Sequence, residues 1–112
     1  MHMIECVIRP VALDKIKAQL TDLGVLGMTA LECKGFGKQK GHTERYRGAR
    51  MDVGFVPKVL LKVAVRSEDL DKAVAAIADS ARTGQAGDGK LFVYPVQNVI
   101  RIRTDEKDND AL

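Results

Sequence analysis

An α+β sandwich with the element order βαββαβ is the fold that this 112-residue chain predicts. Three observations predict it. Apolar residues alternate at strand spacing before and after two stretches of helical spacing, and the hydrophobic pattern stops near Phe36 and resumes near Val59. That silent segment of about twenty residues is far longer than the two to six of an ordinary connection, which marks a functional or disordered loop. The resulting plan is ferredoxin-like, with the long loop inside its central hairpin.

Taken in order, Met3 to Arg9 reads as a strand with Ile4, Cys6 and Ile8 on one face. Pro10 stops it, and Leu13, Ile16, Leu20 and Leu23 then recur at helical spacing until Gly24 caps the helix. Met28 to Phe36 alternates again, and Val59 to Val65 is a third strand, apolar on both faces except at Lys62. Ser67 followed by Glu68 and Asp69 reads as an N-cap with acids in the first turn of a helix that runs to about Ala81. After the glycine-rich TGQAGDGK, both LFVYP and VIRIRT, Val99 to Thr104, are strand-like. The tail from residue 104 to 112 holds four acids against one lysine and reads as a mobile or conditionally ordered end.

Length, charge and composition describe one soluble domain, residues 1–112, without an internal boundary. Two helices cover one sheet face, and strands that are apolar on both faces call for a second cover, so a homo-oligomer is expected. No apolar run reaches the roughly twenty residues of a membrane span and no secretion leader is evident, which points to the cytoplasm. Cys6 and Cys33 alternate with apolar residues and read as buried thiols, and His2 and His42 offer no zinc spacing. An aromatic content of 4% without Trp argues against a stacking surface for nucleic acid.

Chemistry concentrates in three places. Lys34, Lys38, Lys40, Arg45, Arg47 and Arg50 stand against Glu44, a local balance of +5 in a chain whose total is +3. At the start of that loop, residues 37–55, Gly35 just before it and Gly37 and Gly41 within it surround Lys38, Gln39 and Lys40, where backbone amides can hold a small anion and the Gln39 oxygen can join a Mg²⁺ shell. Lys58, at the base of the loop, can pair with a carboxylate. In the segment 82–90, Gly87 and Gly89 allow close backbone approach while Lys90 adds charge, which fits either a plain turn or a phosphate nest. The spacing is not that of a Walker loop. Arg101 and Arg103, two apart on an expected strand, share a face and tip the balance towards a nucleoside triphosphate. His42 lacks the neighbours of a triad, and no general base or activated nucleophile emerges, so an enzyme is not expected.

KGFGKQKGHTERYRGA, FVPK, ARTGQAGDGK and FVYPVQNVIRIRT, in this order across essentially the whole chain, resemble the PII signal-transduction family. The resemblance implies a homotrimer that binds ATP or ADP in clefts between subunits, with 2-oxoglutarate joining Mg²⁺-ATP, and a long loop that controls a target in nitrogen and carbon metabolism. It implies that Gly87, Asp88, Gly89, Lys90, Arg101, Arg103 and Lys38 face phosphates, and that Thr29, Gly35, Gly37 and Ala64 line the nucleotide cleft. Gln39 would ligate Mg²⁺, and Lys38, Lys40, Gly41 and Lys58 would surround 2-oxoglutarate with it. Tyr46, Arg47, Arg50 and Met51 would face the partner, an ammonium channel or else a metabolic enzyme or another transporter, so that any membrane contact comes through a partner.

Departures from the family pattern accompany the match. Met51 stands where many members carry the tyrosine that is uridylylated, and a thioether cannot accept that group. Tyr46 occupies a different position, and Ala49 replaces a serine that some members phosphorylate. Arg50, Asp52 and Gly54 alter the loop tip, Lys62 replaces a usual glutamate, and Ala64 is smaller than the usual valine. An adenylate sensor reading another small anion is therefore the alternative, with slow ATP hydrolysis a more distant one.

Overall fold

The structure, a computed structural model, describes residues 1–37, 43–46, 49–52 and 54–112, with the 43–46 and 49–52 segments described as backbone. Strand β1, His2–Ile8, leads through a short turn at Pro10–Ala12 into helix α1, Leu13–Asp22. Strand β2, Thr29–Gly35, runs up to the long loop. A ribbon of β3, Thr43–Tyr46, and β4, Ala49–Asp52, lies inside that loop, and β5, Val56–Val65, returns from it. Helix α2, Leu70–Ala81, and β6, Gly89–Pro95, complete the plan. The four main strands form one sheet in the order β2-β5-β1-β6, antiparallel throughout, so the expected ferredoxin-like arrangement is present.

Period-two alternation puts Ile4, Cys6 and Ile8 of β1 beside Val59, Leu61, Val63 and Val65 of β5 on one face. Ile16 and Leu20 of α1 and Ala73 and Ile77 of α2 pack onto that face, and all are nearly or wholly inaccessible to solvent. Helical periodicity and strand alternation thus meet in one core, whose burial is the main stabilising contribution. Gly24 adopts φ +85 just past α1, and its amide bonds the Thr21 carbonyl at 2.9 Å, as expected for a helix end closed by glycine.

Among the described residues no helix lies on the opposite sheet face. Leu31 of β2 and Phe92 of β6 expose about half their surface, 46% and 51%, on that face beside Tyr94. In its middle, Glu5 accepts a hydrogen bond from the Tyr94 hydroxyl at 2.5 Å and an ion pair from Lys62 at 3.4 Å. The tyrosine hydroxyl foremost, with Lys62, holds the Glu5 carboxyl below the ordinary glutamate range. Lys62, unexpected from the family pattern, is thus matched by an acid directly opposite it in the β1–β5 register.

Several expectations are corrected. Ser67 does not cap α2: Ser67 to Asp69 form a separate 3₁₀ turn, and the Ser67 hydroxyl instead accepts a hydrogen bond from the terminal ammonium of Met1 at 3.0 Å. Strand β5 begins at Val56 rather than Val59, because it pairs with β2 down to Gly35. Cys33 is half-buried, on the face opposite Cys6. The stretch from Val99 to Thr104 is a turn rather than a strand. The Asp105 amide bonds the Arg101 carbonyl at 2.8 Å, and the chain folds back so that the Arg101 amide meets the Glu106 carbonyl at 2.9 Å. Asp105 and Asp108, at φ +59 and +56, occupy the left-handed region that such a reversal needs and that aspartate tolerates. The acidic tail is folded as well: Asp108–Ala111 makes a 3₁₀ turn, and Arg66 donates to the Asn109 carbonyl at 3.2 Å.

Candidate functional site

The register of β1 with β6 builds the glycine loop. Ile8 faces Gly89, so the residue after β1, Arg9, comes to lie beside the segment that precedes β6. Asp88 organises that segment from within. Its carboxylate accepts from the Thr83 amide at 2.7 Å, the Thr83 hydroxyl at 2.5 Å and the Gly84 amide at 2.9 Å, and pairs with Arg9 Nη2 at 3.1 Å. These bonds, those to Thr83 above all, hold the Asp88 carboxyl below the ordinary aspartate range. The Asp88 side chain therefore braces the loop from within.

Gly87 and Gly89 adopt φ +101 and +113, so the backbone follows a path that side chains rarely take. At Gly89 the reason is also steric, since a Cβ would lie 1.9 Å from the Val7 carbonyl oxygen. The Gly87 carbonyl accepts from Lys58 Nζ at 2.7 Å and from Arg9 Nε at 3.2 Å. Because a trans peptide points its C=O and N–H in opposite directions, the Asp88 amide is turned away from these two cations. Lys58 is 8% exposed, and among the described residues it is the one buried charged side chain. Burial first, and the Arg9 charge second, hold the Lys58 ammonium below the ordinary lysine range, while Asp88 opposes the shift.

Gly35, Gly37, Lys58, Gly87, Gly89 and Lys90, with Val7, Phe36 and Phe92, line one cleft of about 370 Å³. Thr29, Lys62 and Ala64 line another of about 770 Å³, whose far wall includes Val99, Ala111 and Leu112. The two clefts lie at opposite ends of the sheet. Lys58 and Ala64 are six positions apart on β5, about 20 Å at the rise of a strand. One chain thus separates the expected nucleotide residues into a glycine-and-lysine half and a threonine-and-alanine half.

Arg101 and Arg103 are not brought to the glycine loop of their own chain. Their segment begins at Val99, on the wall of the Ala64 cleft, and Arg101 pairs with Glu106 at 2.6 Å. Lys38, Gln39, Lys40, Gly41 and Arg47 lie outside the described residues. The backbones of Tyr46, Arg50 and Met51 lie in the β3–β4 ribbon, where Glu44 faces Met51 and Arg45 faces Arg50. Among the described residues no group of three or more His, Cys, Asp or Glu side chains is placed to hold a metal ion. Sequence reasoning missed Arg9. Its signal is positional, an arginine between the last residue of β1 and Pro10, and becomes legible only through the β1–β6 register.

The fold and the braced glycine loop define an α+β domain of the ferredoxin-like kind with a cleft lined by glycines and two lysines. A model of the family described as "Nitrogen regulatory protein P-II" matches residues 1–106. The chain is 51% identical over 112 residues to the nitrogen regulatory protein P-II of Pasteurella multocida and 51% identical to that of Rhizobium etli. It is 52% identical to the P-II protein of Haemophilus influenzae, and each comparison covers the whole of both chains. The chain belongs to the P-II family of nitrogen regulatory proteins, a family of signal transducers rather than enzymes.

Proposed function

We propose that this protein is a sensor that binds ATP or ADP in clefts between the subunits of a homotrimer, and that 2-oxoglutarate joins Mg²⁺-ATP there. The observation that carries this reading is the division of the expected nucleotide residues between two ends of one sheet. Residues about 20 Å apart in one chain serve one nucleotide when the Gly87 to Lys90 half of one copy meets the Thr29 and Ala64 half of its neighbour. The uncovered apolar sheet face supports association between copies. In the shared cleft, Lys90 and the glycine amides take the phosphates. Arg101 and Arg103, which border the Ala64 side, reach them from the neighbouring copy.

Gln39 supplies a neutral oxygen for Mg²⁺, and Lys38, Lys40 and Gly41, with the Lys58 ammonium, meet the carboxylates of 2-oxoglutarate. Ligand occupancy then selects among states of the long loop, which engages a cytoplasmic or membrane-borne target through Tyr46, Arg47, Arg50 and Met51. Such selection requires only that the ligands differ in affinity for the loop states. The target is an ammonium channel, a metabolic enzyme or another transporter, and Met51 excludes uridylylation at that position.

Calorimetric titration tests the reading. ATP and ADP should bind competitively, and 2-oxoglutarate should give heat only in the presence of Mg²⁺-ATP. ATP binding without any 2-oxoglutarate response would favour the second reading, an adenylate sensor for another small anion, which the altered loop tip and Lys62 support. Absence of nucleotide binding would defeat both.

A further inference from the structure

Two cations converge on one backbone oxygen in this fold, and they are not equivalent. Arg9 Nε lies 3.2 Å from the Gly87 carbonyl, while Arg9 Nη2 lies 3.2 Å from the Ala86 carbonyl and 3.1 Å from Asp88 Oδ1. The planar guanidinium fork thus reaches three acceptors of the loop at once, a task for which a lysine ammonium has the wrong geometry. The backbone of Arg9 is fixed too. Pro10 confines the residue before it to extended conformations, Arg9 adopts φ −65 and ψ 140, and its carbonyl accepts from the Ala12 amide at 3.0 Å.

Lys58 meets the same Gly87 oxygen through a single hydrogen bond at 2.7 Å. Its aliphatic stem packs on Gly35, where an added Cβ would lie 3.0 Å from Cγ. The ammonium is buried beside another cation, and one carboxylate, Asp88, serves both. A lysine so placed gains by exchanging a carbonyl for a full negative charge.

We propose that Arg9 is the positioning residue of the 83–90 loop: its fork holds the Gly87 carbonyl unaided, and so frees Lys58 to leave that carbonyl for an incoming carboxylate. This rests on the sensor reading given above, and it supplies a route by which the small anion and the nucleotide influence one another. The anion draws Lys58 away, and the glycine loop keeps its shape because Arg9 remains.

Amide hydrogen exchange on the ligand-free full chain tests the clamp without any ligand. Arg9→Gln should speed exchange at Gly87 to Lys90 by about tenfold or more, the loss expected for a charge-assisted hydrogen bond, whereas Lys58→Met should leave it within about twofold. Arg9→Lys keeps the charge without the fork and should behave as Arg9→Gln does; it also replaces that variant if Gln at position 9 prevents folding. Titration with Mg²⁺-ATP and 2-oxoglutarate tests the coupling. In Arg9→Gln, Lys58 is retained on Gly87, and the affinity for 2-oxoglutarate at saturating Mg²⁺-ATP should fall about tenfold relative to the wild type. Wild-type exchange in both Arg9 variants, or faster exchange in Lys58→Met, overturns the proposal, as does an undiminished affinity for 2-oxoglutarate in Arg9→Gln. Failure of the wild type to bind ATP defeats the sensor reading instead, and the exchange experiment then decides the clamp.

Discussion

Gly89→Ala is the most exacting substitution that the site offers. The new Cβ would sit 1.9 Å from the Val7 carbonyl oxygen, against a 3.0 Å limit that real Cβ atoms respect, so β1 and β6 would have to part by about 1 Å at that point. The residue also holds φ +113, and a non-glycine residue in such a region costs about 1–3 kcal/mol. Weakening one ladder hydrogen bond adds about 1 kcal/mol, for a total of roughly 2–4 kcal/mol. In a domain of this size that lowers the midpoint of thermal unfolding by on the order of 10 °C. Thermal unfolding followed by circular dichroism, at one fixed protein concentration, measures it. Gly54→Ala is the control, since its Cβ meets nothing within 4 Å among the described residues and its φ lies outside the left-handed region. A Gly89→Ala midpoint within about 2 °C of the wild type would refute the steric reasoning.

Other outcomes follow from the charge and thiol environments. Cys6 is wholly buried under the helices and burial pushes its thiol up to about 11, so Ellman's reagent at pH 8 should leave the Cys6 thiol of the native protein unreacted until denaturation. Two fast thiols would contradict that burial. The Asp88 carboxyl is depressed by its loop hydrogen bonds, so its contribution is present above the ordinary aspartate value and is lost as pH falls through the lower folded value. Protection of the Thr83 and Gly84 amides, taken relative to their intrinsic exchange rates at each pH, should therefore fall with acid below about pH 4, and Asp88→Asn should remove that dependence of protection on pH. Lys62→Glu replaces an ion pair with two facing carboxylates while the Tyr94 hydrogen bond remains, so the Glu5 carboxyl should rise from its depressed position in a carbon-detected NMR titration, and an unmoved Glu5 would contradict the pairing.

Much of the fold was legible because two periodicities carry it. Ile4, Cys6 and Ile8, and Ile16 with Leu20, were placed correctly by spacing alone, since each set must face one core. The stretch VIRIRT misled because its alternation is genuine, yet Asp105 and Asp108 reverse the chain and give it its own tail as a partner. The acidic composition of the tail likewise hid the contact of Asn109 with Arg66, which depends on residues 43 positions apart. The sequences of β3 and β4, TERY and ARMD, carry no hydrophobic alternation, so nothing in the residue pattern announces the ribbon. At the site, glycine spacing and Lys90 marked an anion loop. The bracing by Arg9 and the inward turn of Lys58 depend on strand register, which residue types alone do not convey.

Mixing two variants tests the central claim, a nucleotide cleft assembled from two copies, most directly. Ala64→Trp fills the cleft at one end of the sheet, and Lys90→Glu reverses the charge at the other. ATP binding should be lost in each pure variant and regained when the two are unfolded together and reassembled, because every mixed trimer then contains one cleft built from an intact half of each kind. Mixed oligomers that stay unable to bind ATP, although the wild type taken through the same procedure binds it, would contradict the account.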